Sequence, residues 1–211
     1  MKAPNVIFKD GALSEIKAKV PSLDTQSEVK QVVADRTSLA ERIAKKGLDR
    51  LDHILAGKRR RDKKNRWKSD KIAVAFFGDD LVSVAEIKAV RRRLKRAHRR
   101  LAKRELNIRL LPQSRASKHT VSGHNTGGPL TPLRFVLFPR WFKIATREGQ
   151  AVVIIHELMH DWFIDHKVKD GGKRKTAYGE RLAKKLAAKK PLSARRNPEN
   201  YEQFCLAVWN S

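Results

Sequence analysis

The sequence contains a single cysteine, Cys205, among its 211 residues. One cysteine cannot form an intrachain disulfide, and it cannot supply the cysteine cluster of a structural zinc site. The chain also lacks an apolar run long enough to predict a membrane span. Its first residues, "MKAPNVIFKDGALSEIKAKV", have neither the apolar core nor the cleavage site of a secretory signal peptide. We therefore expect cytoplasmic synthesis without a signal peptide, and any export by a signal-independent route.

Acidic residues are also scarce. Asp and Glu total 22 against 48 Lys and Arg, which gives a formal net charge of +26. A chain this basic is attracted to nucleic acid and to anionic surfaces whatever its specific function, so the charge predicts non-specific binding but identifies no partner. The length is sufficient for one domain with a sizeable core, and the composition leaves the oligomeric state open.

Hydrophobic spacing divides the chain into a short first segment and a longer domain. Residues 1–36 show no long period and are predicted to be an N-terminal extension, and residues 37–211 the main domain. Within it, "TSLAERIAKKGLDRLDHIL" and "SVAEIKAVRRRLKRAHRRL" each carry one apolar stripe at helical spacing. "LNIRLL" and "LRFVLF" are predicted strands, and "KIAVAFF" is either a strand or the approach to a helix. The expected fold class is α+β, mainly helical, with a small sheet.

One stretch, "VVIIHELMHDWFIDHKVKDGG", carries the residues of a metal site. Its apolar positions recur every three or four residues, from Val152 to Phe163, which predicts a helix. On a helix, His156 and His160 project from one face, where two imidazoles can share a zinc ion. Glu157 lies one step round the helix, close to the metal without filling a coordination position.

This pattern predicts hydrolysis of an amide bond. Zinc lowers the pKa of a water towards about 7 and polarises the carbonyl group, and Glu157 takes the proton as the general base. The alternative is an accidental pattern on an ordinary amphipathic helix. A catalytic zinc needs a third protein ligand, and the residues alone leave four downstream candidates open: Asp165, His166, Asp170 and Glu180.

The segment after this stretch resembles the aspzincin metallopeptidases, the deuterolysin and peptidyl-Lys metalloendopeptidase family. The likeness lies in the Tyr178-Gly179 pair and in an Asn-x-x-Asn-Tyr-x-x-Phe stretch formed by Asn197, Asn200, Tyr201 and Phe204. Together with the order of elements upstream, it covers most of residues 35–209. The resemblance implies a zincin-like fold with a sheet beside the HExxH helix, a zinc endopeptidase activity, and a role for Tyr178 in stabilising the oxyanion.

In this family an aspartate completes the zinc site, three residues before the tyrosine. That position here is Lys175, whereas counting from the second histidine reaches the neighbourhood of Asp170. An insertion such as "GGKRK" between ligand and tyrosine would reconcile the two counts. The resemblance therefore predicts His156, His160 and Asp170 as zinc ligands, with Asp165 next and His166 after it, and Glu157 and Tyr178 as catalytic residues.

The predicted partner is a polypeptide substrate, and the strand "LRFVLF" before the zinc helix is a candidate peptide-binding edge. Phe138 stands where secreted relatives carry a disulfide cysteine, which agrees with cytoplasmic synthesis and suggests a bacterial effector or toxin domain. Two alternatives are a cell-wall peptide amidase and a basic nucleic-acid-binding protein on an inactive peptidase fold. The Arg-rich helix and the run "KRRRDKK" motivate the last.

Overall fold

The structure, a computed structural model, describes residues 3–79, 83–103, 106–115, 123–125 and 134–211. In these ranges the chain is mostly helical with a small sheet, in agreement with the predicted α+β class. Its helices are α1 (Ala12–Lys19), α2 (Gln26–Leu55), α3 (Arg60–Ser69), α4 (Lys71–Phe77), α5 (Val84–Lys103), α6 (Arg147–Met159), α7 (Glu180–Lys189), α8 (Pro191–Ala194) and α9 (Pro198–Trp209). Its strands are β1 (Asn5–Phe8), β2 (Asn107–Leu110), β3 (Gly123–Asn125), β4 (Arg134–Leu137), β5 (Lys167–Asp170) and β6 (Lys173–Thr176).

The chain divides into two units. The first, which we call the sheet unit, comprises Met1–Arg42 and Arg99–Asp161, and the second, the helical unit, comprises Ile43–His98 and Trp162–Ser211. The two longest helices, α2 and α5, contribute residues to both units. None of the helices that the structure describes is long and apolar enough to cross a membrane.

The sheet unit is built on strands in the order β1-β2-β4-β3. The pairings of β1 with β2 and of β2 with β4 are parallel, and β3 runs antiparallel beside β4. Val6, Ile108 and Phe135 lie side by side across this sheet and are buried. Because β4 has a neighbouring strand on each side, it is not the sheet edge that the sequence predicted to bind a peptide. Helix α6 contacts β3, so the sheet does lie beside the HExxH helix.

The first residues differ from the expected N-terminal extension. Asn5 pairs with Asn107, more than a hundred residues away, so that β1 is an integral strand of the sheet. Ile16 of α1 is buried, and the boundary predicted at residue 37 falls inside α2. The strand is only four residues long and its partner is distant in sequence, which is why local periodicity does not reveal it.

The helical unit packs around α4, the segment for which the sequence left strand and helix open. Asp70 caps this helix by accepting a hydrogen bond from the Ala73 amide at 2.9 Å, and Gly78 ends it at a φ of 78°. The Phe77 ring lies 5.0 Å from that of Tyr201 on α9 and 5.1 Å from that of Phe204. Cys205 is a buried thiol, and burial raises its pKa.

A two-stranded hairpin, β5–β6, completes the helical unit. Val168 of β5 is buried against α7 and α8, in a cluster with Ala177, Leu186, Ala187 and Ala194. Gly171 and Gly172 form the turn with positive φ angles of 55° and 81°, a conformation that favours glycine. This cluster fixes one face of the hairpin on α7 and leaves the opposite face to solvent.

Candidate functional site

Helix α6 carries the HExxH residues and is anchored within the sheet unit at its N-terminal end. Thr146 caps it by accepting from the Gly149 amide at 3.0 Å. Gln150 is buried, and its side-chain carbonyl accepts from Arg36 Nε at 2.7 Å. Its backbone carbonyl accepts from the Trp141 indole at 2.9 Å. These contacts fix the start of the helix, and therefore the direction in which its far end points.

The two histidines of the motif meet at the end of α6. Their Nε2 atoms are 3.1 Å apart, and the rings are 4.8 Å apart at an interplanar angle of 67°. Helix α6 stops at Met159, earlier than the predicted extension to Phe163. His160 is its C-terminal cap and keeps right-handed dihedral angles, φ −62° and ψ −15°. The four-residue spacing that the sequence predicted to bring the imidazoles together is thus preserved past the last helical residue.

This arrangement fits two ligands of one zinc ion. With Zn–N bonds of about 2.05 Å and a tetrahedral angle, two imidazole nitrogens lie about 3.3 Å apart. The observed 3.1 Å agrees with that separation. His156 and Glu157 are also buried, at 6% and 5% exposure, so the donor set stands in surroundings that strengthen electrostatic interactions.

A carboxylate that the sequence did not single out follows the motif directly. Asp161 is buried and forms an ion pair with Arg100 of α5 inside the sheet unit. The pair fixes the chain immediately after His160. Its signal in the sequence was weak because an acidic residue next to a histidine motif is equally compatible with a surface position.

In the helical unit, Asp165 and Tyr178 lie together although thirteen residues separate them in sequence. The Tyr178 hydroxyl donates a hydrogen bond to the Asp165 carboxylate. The hairpin closes the intervening chain: Lys167 pairs with Thr176, and the Ala177 amide donates to the His166 carbonyl at 2.9 Å. If the hairpin residues 167–176 are left out, Asp165, His166, Ala177 and Tyr178 read as Asp-x-x-Tyr.

The start of α9 holds both ends of this hairpin. The Asn197 side-chain carbonyl accepts from the His166 amide at 2.9 Å, and the Glu199 carboxylate accepts from the Gly179 amide at 2.8 Å. Asn197 is the N-cap residue of α9, with Pro198 in the first helical position, yet its side chain does not cap the helix. It donates instead to Asn200 at 2.7 Å. The asparagines of the Asn-x-x-Asn stretch are therefore architectural, and they fix the backbone beside Asp165 and Tyr178.

Asp170, the predicted third ligand, lies in a different environment. Its carboxylate accepts from Arg181 at 2.9 Å through both oxygens, from Lys185 at 2.7 Å and from Lys175 at 3.1 Å. These hydrogen bonds, those of Arg181 first, hold the pKa of Asp170 far below its usual value of 3.8. Three cations around one carboxylate leave little of its charge for a metal ion, and they fasten β5 to α7.

His166, another candidate, is half-buried, and burial lowers its pKa. Tyr178 is 46% exposed, so its ring is open to solvent. The residues predicted from the sequence are therefore brought together as two pairs. One is His156 with His160 in the sheet unit, and the other is Asp165 with Tyr178 in the helical unit.

Comparison with known proteins gives a relationship at the level of the fold. No protein-family model matches the chain, and no curated protein matches it in sequence. Among solved structures, it is similar to a zinc peptidase from Grifola frondosa, with a TM-score of 0.62 and 16% sequence identity. The match covers 86% of this chain and 96% of that one. The chain thus has a metallopeptidase-like fold.

Proposed function

We propose that the protein is a zinc-dependent metalloendopeptidase of aspzincin type that hydrolyses polypeptides. The observation that carries the proposal is the meeting of the His156 and His160 Nε2 atoms, 3.1 Å apart, at the end of a buried helix that also bears Glu157. The metallopeptidase-like fold of the chain supports it independently.

His156 and His160 are the proposed zinc ligands from the HExxH motif. Bound zinc would supply Lewis-acid polarisation of a carbonyl group and a lowered pKa for water. Glu157 acts as the general base that accepts the proton of the attacking water and passes it to the leaving amine. Tyr178 donates a hydrogen bond to the oxygen on which negative charge develops.

For the third ligand we propose Asp165 in place of Asp170. Aspzincins place the ligand aspartate three residues before the tyrosine, and Asp165 takes that relation to Tyr178 once the β5–β6 hairpin is treated as an insertion. The paired ends of the hairpin support this reading, since Lys167 lies opposite Thr176. The salt bridges of Asp170 to Arg181 and Lys185 favour a structural role for that residue.

The test compares wild type with Glu157→Gln on an unstructured protein substrate. The substitution keeps the size of the side chain but removes the base, so cleavage should fall by about 10² to 10⁴-fold while the zinc content stays equal. Glu148→Gln, in the first turn of the same helix, is the matched control and should cleave like wild type. Equal cleavage by the Glu157 variant would refute the mechanism.

The remaining expectations form part of the same proposal. Purified peptidoglycan digested beside the protein substrate distinguishes a cell-wall peptide amidase from a general endopeptidase. A role as an exported effector or toxin predicts that intracellular expression harms a bacterial host and that Glu157→Gln removes the harm. If expression of the wild type has no effect on growth, the effector role is abandoned.

The contacts of two of its arginines make nucleic-acid binding through the Arg-rich helix α5 less favoured. Arg91 pairs with Asp52, with one hydrogen bond of 3.0 Å. Arg93 lies over the Phe163 ring at 4.8 Å and donates to the Arg195 carbonyl at 3.0 Å. These two side chains stabilise the helical unit. Each contact that one of them made with a phosphate would require it to give up an interaction within the protein.

A further inference from the structure

We infer that the hairpin inserted between Asp165 and Tyr178 recruits acidic polypeptide segments, which makes the enzyme selective for substrates with Asp or Glu near the cleaved bond. The inference rests on the proposed function, because it assigns the substrate class of the same site. Residues 167–176 contain five cationic side chains and one carboxylate.

The two faces of the hairpin differ in how their charge is balanced. On the inner face, the Asp170 carboxylate accepts hydrogen bonds from Arg181, Lys185 and Lys175. Its negative charge is therefore already paired with cations on that face. On the outer face, Lys169 and Arg174 stand directly opposite each other, with Lys167 two residues along. All three side chains are exposed, and none forms an ion pair with a carboxylate in the part of the chain that the structure describes. We call these three residues the basic face.

Folding alone gives no reason for the basic face. Like charges directly opposite each other on a two-stranded hairpin destabilise it, and a carboxylate at either position would relieve the repulsion. The hairpin is nevertheless well anchored on its other face through Val168 and the Asp170 salt bridges. A cost to stability that the rest of the hairpin offsets is typical of a binding surface.

The position of the basic face identifies the partner within the proposed function. Asp165 precedes the hairpin and Tyr178 follows it, so the cations are tethered on both sides to proposed site residues. A strand of four residues is about 13 Å long, so the hairpin extends about that far from Asp165 and Tyr178. An extended peptide with its cleaved bond at these residues could therefore bring side chains up to about four positions from that bond to the basic face. Successive same-side residues of such a peptide are about 6.6 Å apart, the same repeat as that from Lys167 to Lys169.

Other anionic partners fit this surface less well. Single-stranded nucleic acid is held by aromatic side chains that stack on its bases, and residues 167–176 contain no aromatic residue. Membrane-surface elements combine basic residues with apolar ones that enter the lipid, whereas the outer face of the hairpin carries only Lys167, Lys169, Arg174 and Thr176. Charge complementarity without stacking or insertion favours an acidic polypeptide.

The experiment measures binding and cleavage separately. Zinc-loaded Glu157→Gln, which binds without turnover, is titrated with a fluorescent twelve-residue peptide of alternating Glu and Ser, with its Gln counterpart, and with oligo-dT of equal charge. The test variant carries Lys167→Glu, Lys169→Glu and Arg174→Glu on this background. The matched control carries Arg60→Glu, Arg61→Glu and Lys64→Glu, which change the net charge equally on exposed positions of α3. A neutral version with Gln at the three hairpin positions replaces the test variant if that variant fails to fold.

We expect the Glu peptide to bind about tenfold or more tightly than the Gln peptide, and the hairpin variant to lose about tenfold of that affinity. The α3 control should lose less than about twofold. Equal losses in the two triple variants would show that the overall charge is responsible, and tighter binding of oligo-dT than of the peptide would assign the basic face to nucleic acid. Either result overturns the inference.

Cleavage by the protein with Glu157 intact distinguishes this inference from the function on which it rests. If peptides flanking a cut site with Glu have a kcat/KM about tenfold above Gln peptides, and the hairpin substitutions remove that difference, substrate selection is supported. Cleavage without any preference overturns the inference and leaves the peptidase intact. Selective binding without cleavage refutes the proposed function and leaves the acidic-peptide surface intact.

Discussion

Replacement of Asp165 by Asn distinguishes the two candidate third ligands most directly. Asn has nearly the same size and can still accept a hydrogen bond from Tyr178, the contact that Asp165 makes in the helical unit. It lacks the negative charge that a zinc ligand needs. The matched variant is Asp170→Asn, which removes the same charge from the carboxylate that Arg181, Lys185 and Lys175 surround.

The expected magnitude follows from the number of ligands. Sites with four protein ligands bind zinc with a free energy of about 10–16 kcal/mol, which is about 2.5–4 kcal/mol for each ligand. Losing one ligand should therefore weaken zinc binding roughly 10² to 10³-fold. At a free zinc concentration 100 times the wild-type Kd, zinc stabilises the folded wild type by about 2.7 kcal/mol. A variant with a Kd 100-fold higher gains only about 0.4 kcal/mol under the same conditions.

Thermal unfolding with and without zinc measures this difference. For a chain of this size, each kcal/mol changes Tm by about 2–4 °C, so zinc should raise the Tm of the wild type by about 5–11 °C and that of Asp165→Asn by about 1–2 °C. Asp170→Asn should retain the full zinc-dependent shift. If Asp165→Asn responds to zinc like wild type and Asp170→Asn does not, the argument from the hairpin is refuted and Asp170 is the ligand.

Two further predictions concern the stability of the fold. Hydrogen bonds from Arg181, Lys185 and Lys175 hold the pKa of Asp170 in the folded protein below its usual 3.8. The ionised carboxylate therefore stabilises the fold fully above about pH 4, and this contribution is lost as the pH falls through the lowered pKa of the folded protein. Denaturant midpoints of apoprotein should therefore be higher for wild type than for Asp170→Asn near pH 7 and should converge well below about pH 4; a constant difference would contradict the role of the salt bridges. Gly78→Ala should destabilise by about 3–5 kcal/mol, because Gly78 has a φ of 78° and a ψ of 161° and an added Cβ would lie 2.7 Å from Pro191 Cβ. Gly172→Ala, with a φ of 81° but nothing within 4 Å of its Cβ, should cost only about 1–2 kcal/mol, and equal losses in urea titrations would show that the close contact at Gly78 does not matter.

Local patterns in the sequence predicted the elements whose residues interact over short separations. The helix bearing His156 and Glu157 follows from apolar residues at steps of three and four, and the same reasoning identifies α5. The histidine pair follows from their four-residue spacing, which depends only on helix geometry. Where periodicity is weak, the sequence left choices open, as in "KIAVAFF", because a short buried apolar run fits either a strand or a helix.

Tertiary structure decided the features that depend on distant pairing. The strand β1 exists only because residues near position 107 pair with it, so the first residues could not be recognised as part of the sheet from their own composition. The carboxylate assignment changed for the same reason. Counting along the chain led to Asp170, whereas cross-strand pairing removes ten residues from the spatial path between Asp165 and Tyr178.

The sequence by itself thus determined that His156 and His160 lie close together with Glu157 beside them, because a helix places residues four apart on one face. Only the tertiary structure showed that Asp170 forms salt bridges with α7 and that Asp165 lies beside Tyr178. The physical reason is that helix geometry is set within each turn, whereas the register of a hairpin and the partners of a carboxylate are set by side chains that the chain brings together from elsewhere.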